Sequence, residues 1–352
     1  MRFYTLDAMR GVAAIAVVLL HIALQLSFRP RPLAYMAVDF FFMLSGFVLA
    51  TAYEERFRYG LTVSDFLSAR FVRLYPMYFF GMVIGTLTLF GQNAMQSGHS
   101  MPAPQSMVAI LAGFFMLPDP QSPFLFPINQ PAWSLFFEFL INIVFSALLV
   151  RFSTRVLTVL TIGFGAAYVA GTIHHGQMTG GLSWDSFGLG LVRVTFPFSL
   201  GVLFSRLRPL QYEIKSGRAM GLIFTLLIIL LIPVGSVPVT AFNLLVTMVV
   251  MPALLWFGIR WQLSSRLTGL GAALGDLSYP LYAIHFPAMR IASFGAKALH
   301  VPPLAFTLVF LTGSCAAALA VARFVDPPAR KLLARCVASI RTWQILGRTK
   351  NA

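Results

Sequence analysis

The chain has 352 residues, of which 58% are hydrophobic and 11% are charged, and its formal net charge at pH 7 is +15. A soluble domain carries about 25% charged residues, so this composition predicts a polytopic membrane protein with little soluble mass. The positive charge does not indicate nucleic-acid binding, because the basic residues lie between apolar runs, as the topology signals of membrane proteins do. Cys315 and Cys336 supply neither a disulfide framework nor a metal-binding spacing.

Apolar runs of the length that a membrane-spanning helix needs, about 20 residues, recur along the whole chain. The first run is expected to be an uncleaved helix and not a signal peptide, because Asp7 precedes it. The short apolar run at 107–117 is predicted to be a re-entrant or interfacial helix, and the proline-rich segment 92–132 around it an ordered cap. We predict an all-α protein with about ten transmembrane helices, near residues 6–27, 36–53, 74–91, 133–150, 156–173, 191–205, 219–235, 239–258, 270–295 and 303–324.

The basic residues orient these spans. With the N-terminus in the cytoplasm, 21 of the 26 Lys and Arg residues fall in cytoplasmic segments, three fall outside and two lie within spans. This asymmetry predicts that both termini are cytoplasmic. We expect a membrane domain over 1–330 in the plasma membrane, the inner membrane of a bacterium. A basic amphipathic tail over 331–352 is expected on the anionic inner leaflet.

Three ionisable residues, His21, Asp39 and Glu138, lie in different predicted spans at a similar distance from their outer ends. Snorkelling or a buried helix contact explains any one of them, but three at matched depth predict a functional site. An imidazole that is oriented by a carboxylate is a usable general base. The sequence leaves open whether Asp39 or Glu138 orients His21.

Arginines mark the opposite side. Arg10 precedes His21 by eleven residues, which places both on one helix face about 16 Å apart along the axis. Arg70 and Arg73 share a helix face where a cytoplasmic loop enters the third span. Anchoring by the positive-inside preference explains such a pair, but guanidinium groups also bind phosphate in bidentate geometry. Phosphate binders inside and a base near the outside predict a long substrate that lies through the bundle.

Other polar residues within spans have two readings each. His285 is either a second functional group or a packed histidine, and it shares a span with Tyr282. Arg193 is an ion-pair partner or a contact to a substrate carboxylate, whereas Arg290 is expected to snorkel outward. Trp133 fits an interfacial aromatic belt or a platform for substrate.

Five segments together resemble the acyltransferase-3 family of integral membrane O-acyltransferases, over about 4–330. They are "LDAMRGVAAIAVVLLHI", "VDFFFMLSGFVLA", "RFVRLYPMYFFG", "PAWSLFFEF" and "LGDLSYPLYAIHFP". The residues that match the family's motifs are Arg10, His21, Arg70, Arg73, Trp133, Ser134, Glu138 and His285. The chain departs from the family near the end of the last span, where "RFVDPPAR" places Asp326 at a position that is often Glu.

The resemblance implies transfer of a short acyl group, most commonly acetyl, from a cytoplasmic acyl-CoA to a hydroxyl of an envelope or exported glycan. Arg70, Arg73 and Arg10 would hold the CoA phosphates. His21 would deprotonate the acceptor or be acylated itself, and the base role is favoured. The expected partners are membrane lipids, acyl-CoA and a carbohydrate or other hydroxyl acceptor, with no metal, no tightly bound cofactor and no nucleic acid. Residues expected to contact substrate are Trp133, Ser134, Arg193, Tyr282 and His285. The acceptor, the acyl length and the oligomeric state stay open.

Two other classes compete with this interpretation. A proton-coupled secondary transporter would use the same intramembrane charges as a relay. A non-catalytic assembly protein of an envelope complex would need none of them. No inverted repeat is visible in the sequence, and a transporter gives the arginines no purpose.

Overall fold

A computed structural model of the chain describes residues 2–97, 104–176, 178–208, 212–233, 235 and 237–350. A helix satisfies its own backbone hydrogen bonds, and so apolar segments that meet lipid fold as helices. The helices in these ranges are α1 (Tyr4–Gln25), α2 (Ala37–Arg58), α3 (Val63–Ser97), α4 (Pro104–Phe114), α5 (Ala132–Ala147), α6 (Thr154–His175), α7 (Phe187–Leu207), α8 (Ser216–Leu231), α9 (Val239–Leu245), α10 (Met251–Arg260), α11 (Ser265–Ala298), α12 (Pro303–Ala320) and α13 (Asp326–Lys350). Single π-helical turns join α9 to α10 and α12 to α13, and two-residue strands β1 (Glu213–Ile214) and β2 (Trp261–Gln262) pair in parallel.

The all-α membrane architecture that the sequence predicts is confirmed. Eight helical stretches within the described residues are long and apolar enough to cross a membrane. The other two predicted spans fall on α8, which has only 16 residues, and on α11, which is 34 residues long but carries four charged side chains. The eight stretches are Tyr4–Gln25, Ala34–Arg58, Val63–Ala94, Ala132–Arg151, Thr154–His175, Trp184–Leu207, Val239–Arg260 and Pro303–Ser339.

Helices α1 and α11 run parallel in close contact. Gln25 donates to Ser293 at 2.9 Å near one end of the pair, and Arg2 forms a 2.7 Å ion pair with Asp276 towards the other. A Cβ atom on Gly11 would lie only 2.5 Å from the carbonyl oxygen of Leu274, so the approach depends on a residue without a side chain. We call the end where α1 begins the arginine end and the end where it finishes the histidine end.

Helices α2 and α7 also run parallel to each other. A Cβ on Gly46 would lie 2.0 Å from the carbonyl oxygen of Phe198, and one on Gly201 would lie 2.0 Å from that of Met43. Backbones this close are typical of membrane helices that pack through small residues. The contact brings polar side chains of α2 and α7 within hydrogen-bond distance of each other.

The described part of the cap predicted over 92–132 consists of the end of α3, helix α4 and the loop that follows it, and residues 98–103 lie outside the described residues. Helix α4 has eleven residues, too few to span a membrane, and the hydroxyls of Tyr75 and Tyr78 donate to carbonyl groups at its end. The following chain is tied by backbone hydrogen bonds to the loop before α7, with Leu125 donating to the carbonyl of Leu182 at 2.9 Å. This cap covers the histidine end.

The tail predicted over 331–352 lies on α13, which begins at Asp326 and is helical to Lys350. Asp326 forms an ion pair with Arg330 one turn later. The boundary expected at 330 therefore falls inside one helix, and the division of the chain there stays a prediction, as does contact of the tail with a leaflet.

Candidate functional site

A cavity that we call the arginine pocket opens between α1, α2, α3, α5 and α11. Its interior volume is about 170 Å³, and it widens into an open mouth. The structure places Arg10, Arg70 and Arg73 on its wall, together with one carboxylate, Glu138. The three predicted phosphate-binding residues thus meet in one cavity whose charged lining is net positive.

Each arginine is held differently. Arg10 donates from Nε to Ser278 at 2.9 Å and from Nη2 to the carbonyl of Gly275 at 2.9 Å, which fixes its fork against α11. Arg70 donates to Glu138 at 3.0 Å, but its Nε is buried and has no hydrogen-bond partner within the described residues. Arg73 is exposed and forms no hydrogen bond or ion pair with any described residue. The pocket therefore offers donors that are not satisfied by the protein, a property of anion sites.

The position of Glu138 corrects the prediction that it lies at the depth of His21. Its Oε1 accepts from Ser45 at 2.9 Å and from Arg70, so it belongs to the arginine pocket. Helix α3 begins at Val63, well before the predicted start of that span, so Arg70 lies two turns inside the helix and reaches Glu138. Glu138 does not contact His21 among the described residues.

A second cavity, the histidine pocket, adjoins the first towards the histidine end. Its interior volume is about 410 Å³, and it is lined by His21 with Trp133 and Arg193. Val38 and Tyr282 line both cavities, so the two pockets share a wall. In this wall the Tyr282 hydroxyl is hydrogen-bonded to the hydroxyl of Ser134 at 2.6 Å, which places two predicted substrate residues at the boundary.

His21 is oriented by another histidine and not by a carboxylate. Nδ1 of His285 lies 2.9 Å from the carbonyl of Leu281 and 3.0 Å from that of Tyr282, so it carries the proton of the neutral ring. Nε2 of His285 is then an acceptor, 3.1 Å from Nδ1 of His21, which also lies 3.0 Å from the carbonyl of Val17. With two acceptors beside it, Nδ1 of His21 is protonated, and Nε2 keeps its lone pair.

The expectation that Asp39 or Glu138 orients His21 is therefore wrong for this structure. The arrangement has the same logic as an acid–base dyad, because a fixed acceptor behind the imidazole selects the tautomer and supports the imidazolium when it forms. The partner is neutral and fully buried, at 0% exposure. The sequence marks His285 as a candidate but does not predict its contact with His21, because the two residues are 264 positions apart.

Asp39 is occupied by a different partner. It forms a buried ion pair with Arg193 at 3.0 Å, and Arg193 also donates to the carbonyl of Tyr35 at 2.6 Å. Tyr168 donates to the same carboxylate at 3.2 Å. Of the two readings of Arg193, the ion pair is the one that the structure contains, and it fastens α2 to α7.

Trp133 does not lie in an interfacial belt. Its side chain is 5% exposed, and the Arg193 guanidinium lies 5.2 Å from its ring centroid, a cation–π distance. The indole also forms part of the histidine pocket. Trp133 therefore connects the buried ion pair to the cavity that holds His21.

Comparison with known proteins places this arrangement in context. A family model described as an acyltransferase domain, Acyl_transf_3, matches residues 3–323. Protein 2 in the picA locus of Rhizobium radiobacter is 38% identical over 159 residues, which are 41% of this chain and 81% of that protein. Acyltransferase MdmB of Streptomyces mycarofaciens is 27% identical over 156 residues, which are 41% of this chain and 38% of that protein. No solved structure matches the chain.

Proposed function

This chain belongs to the acyltransferase-3 family, and we propose that it moves a short acyl group, most simply acetyl, from an acyl-CoA to a hydroxyl of a glycan. It is a multi-pass membrane acyltransferase. The observation that carries the finer proposal is the pair of adjoining cavities, one lined by three arginines and the other by a histidine whose Nε2 has no hydrogen-bond partner among the described residues. The proton-coupled transporter is not favoured, because the family match is to acyltransferases.

The arginine pocket suits the donor. CoA carries several phosphate oxygens, and the guanidinium groups of Arg10, Arg70 and Arg73 bind such oxygens with paired, charge-assisted hydrogen bonds. The remaining lining is largely apolar, which suits the pantetheine arm. A linear donor with its phosphates here would extend its thioester past Tyr282 towards His21.

The histidine pocket suits the acceptor. A hydroxyl beside His21 would give its proton to Nε2, and its oxygen would attack the thioester carbonyl carbon. The carbon–sulfur bond then breaks, and the CoA thiolate takes the proton from the imidazolium, so His21 returns to its starting form. The Nδ1–H, held towards Val17 and His285, leaves Nε2 as the nitrogen that takes the proton in this mechanism.

We further propose that the arginine end faces the cytoplasm of a bacterial inner membrane. The sequence-based asymmetry of basic residues supports this orientation. Acyl-CoA is a cytoplasmic metabolite, and an exported glycan is reached from the opposite side. The acyl group alone would cross the membrane, from one pocket to the other.

The test uses the full chain purified into lipid nanodiscs, with binding of radiolabelled acetyl-CoA and release of CoA measured separately. The double variant Arg70→Gln/Arg73→Gln should weaken binding by about tenfold or more for each lost charged contact. His21→Ala should bind acetyl-CoA but lose about 10²–10⁴-fold in turnover. Arg155→Gln, an exposed arginine outside all the cavities described, is the matched control.

Two results would contradict the proposal. Wild-type protein that binds no acyl-CoA excludes the donor. His21→Ala protein that turns over at the wild-type rate excludes the base.

A further inference from the structure

A third cavity, which we call the vestibule, lies beside the histidine pocket at the histidine end. Its interior volume is about 630 Å³, which is large enough for a saccharide unit and its neighbours. Gln25, Gln130 and Phe286 line both the vestibule and the histidine pocket, so a ligand in one reaches the other. The vestibule plays no part in the reaction proposed above.

The charge of the vestibule is unbalanced. Arg290 and Lys297 line it, and the described residues of its wall include no Asp or Glu. Arg290 is half-buried and donates at 2.8 Å to the side-chain oxygen of Gln92, a neutral acceptor. Neither cation forms an ion pair among the described residues. A half-buried guanidinium with only a neutral partner is stabilised when an anion binds it.

These cations also lie where topology disfavours them. Basic residues concentrate on the cytoplasmic side of membrane proteins, and the histidine end is the proposed outer end. A snorkelling arginine would point away from the protein, whereas Arg290 is tied to α3 through Gln92 and faces a cavity. Its placement therefore indicates a ligand and not an anchor.

The neutral part of the lining fits a sugar. Among the described residues, the NH₂ group of Gln25 donates to Ser293, and its side-chain oxygen has no partner. The side-chain oxygen of Gln92 accepts from Arg290, and its NH₂ group has no partner among them. One acceptor and one donor thus remain for hydroxyl groups. The rings of Phe124 and Phe294 supply partly exposed apolar faces beside them.

We propose that the vestibule selects an anionic saccharide as acceptor, with a carboxylate or phosphate held by Arg290 and Lys297 while a hydroxyl of the same or the next unit reaches His21. This inference rests on the proposed function, because it names the substrate class of that site. The shared chemistry is an anion on a sugar, and the test distinguishes the two anions.

The experiment compares a neutral acceptor with two anionic ones. Acetyl transfer by the nanodisc protein is measured to cellobiose, to its uronic-acid counterpart cellobiouronic acid and to glucose 1-phosphate. The ratio of kcat/KM for the charged over the neutral disaccharide is expected to exceed about tenfold, the usual effect of one charged hydrogen bond. Arg290→Gln and Lys297→Gln should each lower this ratio about tenfold, mainly through KM, whereas Arg290→Lys keeps most of it.

Arg29→Gln is the matched control, because Arg29 is an exposed cation at the same end that lines none of the three cavities. A wild-type ratio at or below one overturns the proposal, as does an unchanged ratio in both Gln variants. A preference for glucose 1-phosphate over cellobiouronic acid identifies phosphate as the anion, and the reverse identifies carboxylate.

Direct binding separates this proposal from the acyl-transfer proposal. Saturation-transfer NMR with cellobiouronic acid needs no donor. Binding by wild-type protein that is lost in Lys297→Gln, a substitution at an exposed position, supports the vestibule site even where no acyl transfer occurs. The vestibule proposal is overturned if cellobiouronic acid gives no saturation-transfer signal, or if phosphatidylglycerol displaces the saccharide and abolishes that signal.

Discussion

Asp39→Asn distinguishes a structural carboxylate from a catalytic one. Asp39 and Arg193 are each 1% exposed, and the guanidinium donates to both carboxylate oxygens, at 3.1 and 3.0 Å. Asparagine keeps the shape but removes the charge, so Arg193 is left as an uncompensated cation in the bundle. Breaking a buried pair in this way costs about 3–5 kcal/mol. The folded-to-unfolded ratio then falls by about 10²–10⁴.

That cost is a large share of the 5–15 kcal/mol of stability typical of a protein. We expect the thermal midpoint of the purified protein, followed by tryptophan fluorescence in one detergent, to fall by roughly 6–20 °C. The double variant Asp39→Leu/Arg193→Met removes both charges and should be more stable than Asp39→Asn alone. Glu213→Gln, which breaks an exposed pair with Arg260, is the control and should not shift the midpoint.

The reasoning fails if Asp39→Asn melts like the wild type and yet loses acyl transfer. Asp39 would then act on substrate, and the ion pair would not be its main role.

Three further results follow from the same contacts. His285→Ala should lower kcat about 10–100-fold with little change in the KM for the donor, because His21 loses the acceptor that selects its tautomer. His285→Gln keeps an acceptor and should recover part of kcat. An equal loss of kcat in both variants would contradict a positioning role. Gly201→Ala should reduce the yield of folded protein, since its Cβ would lie 2.0 Å from the Met43 carbonyl oxygen. Gly221→Ala, at a position with open space around it, is the control and should express normally. Equal yields of the two variants would refute the close packing. Raising NaCl from about 0.05 to 0.5 M should weaken acetyl-CoA binding several-fold in an equilibrium assay, because the arginine pocket is open to solvent and salt screens its charges. Binding that does not depend on salt would mean that the donor binds elsewhere.

The arginine pocket was predictable from sequence to the extent that each arginine begins a span on the same side. Arg10 and Arg70 lie about two turns inside α1 and α3, and helices that enter a membrane from one side bring such residues to one level. The contact between Glu138 and Arg70 was not predictable, because the sequence places the start of α3 by hydropathy alone. The polar first turns of α3 continue the helix outside the apolar run, and the arginine side chains then reach inward.

The partners of His21 and Asp39 could not be predicted from the sequence, for a different reason. Hydropathy identifies helices but does not say which of them touch, and the contact of His21 with His285 joins helices at opposite ends of the chain. The pairing of Asp39 with Arg193 likewise depends on the glycines that bring α2 against α7. The sequence anticipated an ion-pair partner for Arg193 but gave no way to name it.

The account's central claim is that the donor and the acceptor meet through two adjoining pockets that open at opposite ends of the bundle. Sealed vesicles with the protein, acetyl-CoA carrying a labelled acetyl group only inside and an impermeant saccharide acceptor only outside test this most directly. The account predicts labelled acetyl on the outer saccharide while CoA stays inside, with no labelled product from His21→Ala vesicles. Transfer that occurs only when both substrates share one side would contradict it.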